Sequence, residues 1–101
     1  MKREPERLVS EFLRGQNLEQ IGRTDEAAAI YEEIVAAGFD AAGPYDRLIW
    51  IYQARAAHSD VIRISELSLK SVRTYPEKQQ WYQRQIDEAR KAQDASGITP
   101  R

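Results

Sequence analysis

This sequence predicts an all-α chain of about five helices, folded as antiparallel hairpins, and three observations carry that prediction. No run alternates apolar and polar residues as a half-buried strand would. Apolar residues recur instead at intervals of three and four. Proline, glycine and small capping residues break the chain into stretches of helical length, joined by connections of a few residues.

The first helix opens at Pro5, whose missing N–H costs nothing at a first helical position. Leu8, Phe12, Gly15, Leu18 and Ile21 form its apolar stripe, and Gly22 ends it. Asp25 is placed to cap the second helix, with Glu26 in its first turn. Its buried stripe is Ala27, Ile30, Tyr31, Ile34 and Val35, and Gly38 stops it. Pro44 starts the third helix, with Tyr45, Leu48, Ile49, Tyr52 and Ala56 on one side. Ser59 caps the fourth, which presents Val61, Ile64, Leu67, Leu69 and Val72. Pro76 opens the fifth, which carries Trp81, Tyr82, Ile86 and Ala89 and runs to about Gln93.

At 101 residues the chain is one small domain with a single modest core. A content of 42% hydrophobic and 31% charged residues is that of an ordinary globular chain. The absence of cysteine excludes disulfides and thiolate metal sites. The charged start "MKREPERL" has no apolar segment of a secretory signal behind it. No apolar run nears the roughly 20 residues of a membrane helix, so the expected location is cytoplasmic, with no membrane contact. A net charge of −1 argues against nucleic acid as a partner. The charge is uneven: residues 1–40 sum to −4 and residues 63–101 to +3. Such asymmetry can favour head-to-tail association or simply reflect solvated helix faces.

A shift of 34 residues superposes the first hairpin on the second. Asp25 falls on Ser59, Glu26 on Asp60, Ala27 on Val61 and Gly22 on Ala56. This period, with Tyr45-x2-Leu48-Ile49-x2-Tyr52 on one first helix and Ala27-x3-Tyr31 on one second helix, resembles the tetratricopeptide repeat (TPR) family. The first repeat, with Glu11-x2-Arg14-Gly15-x2-Leu18, keeps the glycine and loses the aromatic residue. The second weakens Ala-x3-Phe to Val61-x3-Ser65, and the terminal proline is missing at Phe39 and Arg73. The resemblance implies a short right-handed α-solenoid in residues 1–93. It comprises two degenerate repeats, 8–41 and 42–75, a capping helix at 76–93 and a flexible tail at 94–101. Its structural positions are Gly15, Gly22, Ala27, Tyr31, Tyr45, Leu48, Tyr52 and Val61. In the family, a small residue such as Ala27 allows the two helices of a hairpin to approach closely. The aromatic residue one turn later, here Tyr31, fills the space where they diverge, against Gly15.

The residues offer little for catalysis. His58 is the sole histidine, Glu32 and Glu33 diverge around their helix, and neither a phosphate loop nor a metal-ligand spacing occurs. The chain is therefore read as a non-enzymatic protein with no cofactor. By the resemblance, the first helix of each repeat lines a concave groove for a peptide or partner helix. The corresponding residues are Phe12, Gln16, Glu19, Gln20, Asp46, Trp50, Gln53 and Ala54, with Arg84 from the fifth helix. Phe12 and Gln16 stand where a carboxylate-clamping repeat would carry lysine and asparagine, which argues against that clamp. Trp50 points about 160° away from Tyr52 on its helix, at 100° per residue, and so leaves the core stripe. It is either an anchor in the groove or a packing residue against the fifth helix. Two other roles stay open: a self-associating structural module forming a homo-oligomer, and an excised part of a larger repeat protein. The related pentatricopeptide arrays bind RNA, but two repeats of 34 residues and the net charge count against that role.

Overall fold

The computed structural model describes residues 4–97 and contains five helices: α1 (Glu4–Gln20), α2 (Thr24–Ala36), α3 (Ala42–Ala54), α4 (His58–Ser71) and α5 (Pro76–Gly97). There is no strand among the described residues, and none of the helices is long and apolar enough to cross a membrane. Each helix packs chiefly on its neighbours in sequence, and the molecule is elongated, 55 × 31 × 19 Å.

Contacts between opposite helix ends show that neighbours run antiparallel. Pro5 and Leu8 of α1 line a cleft with Ala37 and Gly38, just beyond α2. Arg55, after α3, pairs with Asp25 at the start of α2. Gln93, late in α5, donates to Ser59 at the start of α4. A second set of ties skips one helix. Arg47 of α3 reaches Glu19 of α1, Arg63 of α4 reaches Glu32 of α2, and Lys78 of α5 reaches Asp46 of α3. The odd-numbered helices therefore lie beside one another, and so do α2 and α4.

The turns inside the two hairpins share one hydrogen-bond pattern. Gly22 N–H donates to Glu19 O and Arg23 N–H to Leu18 O. Thirty-four residues later, Ala56 N–H donates to Gln53 O and Ala57 N–H to Tyr52 O. This arrangement satisfies orphan carbonyls at the helix end and needs one left-handed residue. Gly22 supplies it at φ 84° and Ala56 at φ 54°. Glycine adopts that conformation freely, whereas alanine does so at a steric cost.

The core runs along the seams between helices. Tyr31, Tyr45 and Tyr82 are fully buried, yet each hydroxyl finds an acceptor, as a buried phenol requires. Tyr31 donates to Glu19 at 2.7 Å, Tyr45 to Phe39 O at 2.8 Å and Tyr82 to Asp46 at 2.9 Å. Ala27 is also completely covered. A Cβ at Gly15 would sit 2.6 Å from Tyr31 Cε1, so the bare backbone of α1 is what admits the tyrosine ring.

Several local expectations need correction. α2 begins at Thr24, so Asp25 is not its cap; Arg23 holds that position without a side-chain cap bond. α3 begins at Ala42, two residues before Pro44. Proline fits there because first-turn N–H groups have no partner within the helix. α4 begins at His58, and the Ser59 hydroxyl accepts a bond from Gln93 instead of capping. Ile21 is 67% exposed, because α1 ends at Gln20 and the chain is already turning. Ala56 is likewise an exposed turn residue. α5 continues past Gln93 to Gly97, so the expected tail at 94–101 is helical in its first four residues. Residues 98–101 lie outside the described part.

Candidate partner-binding surface

The expected groove residues lie on the odd-numbered helices, in two seams. At the α1–α3 seam, Glu19 accepts from Arg47 Nε at 2.8 Å and from a second guanidinium nitrogen, besides the Tyr31 hydroxyl. The Arg47 guanidinium holds the Glu19 carboxyl below its usual range, and the Tyr31 hydroxyl bond adds to this. Burial, then the Glu19 carboxylate, pushes the Tyr31 phenol up. Gln16 and Gln20 flank this cluster in a shallow cleft of about 210 Å³. Phe12 sits apart from it, tilted against Tyr31 with ring centroids 5.7 Å apart. A Cβ at Gly43 would fall 2.6 Å from Phe12 Cζ, so this ring holds α3 against α1.

At the α3–α5 seam, Asp46 accepts from Lys78 Nζ and from the Tyr82 hydroxyl, each at 2.9 Å. Lys78 Nζ also lies 4.1 Å from the Trp81 ring centroid. Trp50 is 47% exposed and meets Trp81 edge-on, with centroids 6.5 Å apart and planes at 78°. The Arg47 guanidinium covers the Trp50 ring at 5.0 Å. One turn along, Gln53 donates to Gln85 at 2.6 Å. Below Trp50, a cleft of about 380 Å³ is lined by Arg47, Ile51 and Ala54 of α3 and by Glu19 and Thr24. Arg84 is exposed on α5, and no ion pair includes it among the described residues.

The structure thus brings Asp46, Trp50 and Gln53 together along one seam and Gln16, Glu19 and Gln20 along the other. Arg47, Lys78, Trp81 and Gln85 belong to the same surface, and sequence reasoning did not single them out for it. Trp81 follows Trp50 by 31 residues and Lys78 precedes Trp81 by three. That near-repeat spacing, with a cation one turn before each tryptophan, was the signal available.

Electrically the surface is quiet. Both acidic groove candidates, Glu19 and Asp46, are committed to cations of the next odd-numbered helix. What remains open, apart from the exposed Arg84 guanidinium, is aromatic and amide. His58, part-buried at the start of α4, lines a separate cleft of about 170 Å³ with Gln53 and Gln85. No group of three or more His, Cys, Asp or Glu among the described residues could hold a metal ion. Comparison with protein-family models, with curated proteins and with solved structures finds no match to this chain.

Proposed function

We propose that the chain is a short TPR-like α-solenoid acting as a non-enzymatic interaction module, with an extended peptide or helix lying across α1, α3 and α5. Support for the architecture comes from the 34-residue recurrence of the turn hydrogen bonds and from the ties between alternate helices. The observation that carries the binding role is Trp50. A large aromatic left 47% exposed beside Trp81, on a surface whose ion pairs are internally satisfied, is costly to leave in water. It is also well suited to serve as a binding anchor. Gln53 and Gln85 on the same seam, and Gln16 and Gln20 on the neighbouring one, offer donors and acceptors to a partner backbone lying across both.

The test is selection of peptides from a displayed library on the wild-type chain, followed by affinity measurement on Trp50→Ala. Loss of an anchor of this kind costs about 2 kcal/mol or more, roughly thirty-fold in Kd. Trp50→Ala is expected to unfold within a few degrees of the wild type. If it instead loses the roughly 3–5 kcal/mol of a core aromatic, Trp50 is a packing residue and the assignment fails. Equal affinity of both proteins for the selected peptides overturns it as well.

One further observation favours a self-associating alternative. Val9 and Leu13, one turn apart on α1, are 47% and 54% exposed. Size-exclusion chromatography with light scattering separates the two readings, since a concentration-dependent dimer abolished by Leu13→Glu supports assembly.

A further inference from the structure

The 34-residue register gives each position of the first hairpin an equivalent in the second, and the two sets differ in what covers them. In the second hairpin, Leu48 and Ile64 are fully buried. Tyr52 and Arg63 reach across to Glu32 of the first hairpin, Arg63 at 2.7 and 3.0 Å. This flank of α3 and α4 therefore packs on α1 and α2. Its equivalents in the first hairpin are Arg14, Leu18, Ala29 and Ile30. They line a cleft of about 500 Å³ that no helix covers among the described residues.

We infer that this flank is a second docking surface, which receives one amphipathic helix of a partner protein. The apolar stripe of that helix is bordered by an acidic edge and a basic edge. The floor fits such a stripe: Ile30 is only 7% exposed, Leu18 is half-buried, and small Ala29 leaves room beside them. The rim fits the two edges. Arg14 and Arg23 border the cleft from α1 and the following turn, whereas Glu26 and Glu33 border it from one side of α2, seven residues apart. The rim pairs Arg14–Glu11 and Arg23–Glu26 are surface pairs of little energetic weight, so a partner can exchange them cheaply. Within the chain, the equivalent flank already shows the same chemistry, with an apolar floor and an arginine meeting a carboxylate of the adjoining helix. A second copy stacking head-to-tail through α5 is a poor occupant. The outward residues of α5, Gln80, Arg84, Asp87 and Lys91, form a polar stripe with no apolar ridge.

This surface is distinct from the one around Trp50, so the two readings fail separately. The probe is a fluorescein-labelled, lactam-stapled 18-residue helix with a leucine/alanine stripe, one glutamate edge and one lysine edge. A control peptide carries glutamine in place of the leucines. Anisotropy should show saturable binding of the probe to the wild type and at least ten-fold weaker binding of the control. Ala29→Arg, which places a long side chain across the floor from an exposed position, should weaken binding at least ten-fold while keeping the wild-type circular dichroism. Glu26→Lys/Glu33→Lys, both exposed, should weaken the probe and favour a peptide with two glutamate edges. Trp50→Ala should bind as the wild type does. Absence of saturable binding, equal binding of the control, or amide shifts confined to α3 and α5 would overturn the proposal. So would a wild-type dimer that Ala29→Arg dissociates.

Discussion

The two hairpins solve one packing problem in opposite ways. In the first, Gly15 on α1 leaves bare the space that the large residue, Tyr31 of α2, fills. In the second, the register equivalents are Ile49 on α3 and Ser65 on α4, and both are fully buried. The bulk has moved from the second helix to the first. Close packing constrains the summed volume across a seam more tightly than the identity of either residue. This explains why the repeats look degenerate in sequence while their turns keep the same hydrogen bonds. The exchange is not free of cost. Tyr31 brings a hydroxyl whose hydrogen bond Glu19 accepts, whereas the Ser65 hydroxyl is buried with no hydrogen-bond partner among the described residues.

The strongest test of that comparison transplants one solution into the other hairpin. Gly15→Ile alone should unfold the domain or nearly so, because even a Cβ meets the Tyr31 ring, and overpacking costs about 1–3 kcal/mol or more. Tyr31→Ser alone should lose roughly 3–5 kcal/mol, as for other buried aromatics. Combined, they should be less destabilised than the sum by more than about 1 kcal/mol, measured by urea unfolding in a double-mutant cycle. Strict additivity would mean that the two positions do not share one space.

A smaller effect is expected in the second hairpin. Ser65→Ala removes a buried hydroxyl that lacks a partner among the described residues and should raise stability by about 1 kcal/mol. A lower melting temperature would show that the hydroxyl is satisfied in solution.

The smallest effect concerns the ties between hairpins. Glu19 and Glu32 both have lowered pKa values. For Glu19 the hydrogen bond from Arg47 dominates; for Glu32 burial pushes upward, and bonds from Arg63 and Tyr52 outweigh it. A depressed carboxylate contributes stability that is present above its unfolded value, about 4.3, and lost as pH falls through the folded value. Tyr52 is the opposite case. Burial and then Glu32 push its phenol up to about 12, so its contribution is complete below about pH 10 and lost as pH rises through 12. Stability against pH should therefore fall below about pH 4.5 and again above about pH 10. Glu19→Gln should flatten the acid limb, and an unchanged acid limb would show that the Glu19–Arg47 tie contributes nothing.

The helices were legible in the sequence because their signals are local. Pro76 begins α5, Gly22 takes the left-handed turn position, and the apolar spacing places Ala27, Ile34, Leu48, Ile64 and Tyr82 in the core. Helix starts were less legible, at Asp25, Pro44 and Ser59, because a good capping residue is a local preference that neighbouring helices can override. Asp25 faces Arg55, and Ser59 faces Gln93. The candidate surface was legible in part. Trp50 stands off its stripe in any helical projection, whereas Trp81 occupies the α5 stripe and yet pairs with Trp50 at the surface.

The sequence by itself determined where helices form, where they turn and with what period they recur, since those outcomes depend on residues within a few positions of one another. Only the tertiary structure decided that Glu19 and Asp46 are committed to Arg47 and Lys78. It also decided that Phe12 wedges against Gly43. Those outcomes join residues about 30 positions apart. They depend on the distance and angle at which whole helices settle, which packing volume sets and no short window of sequence contains.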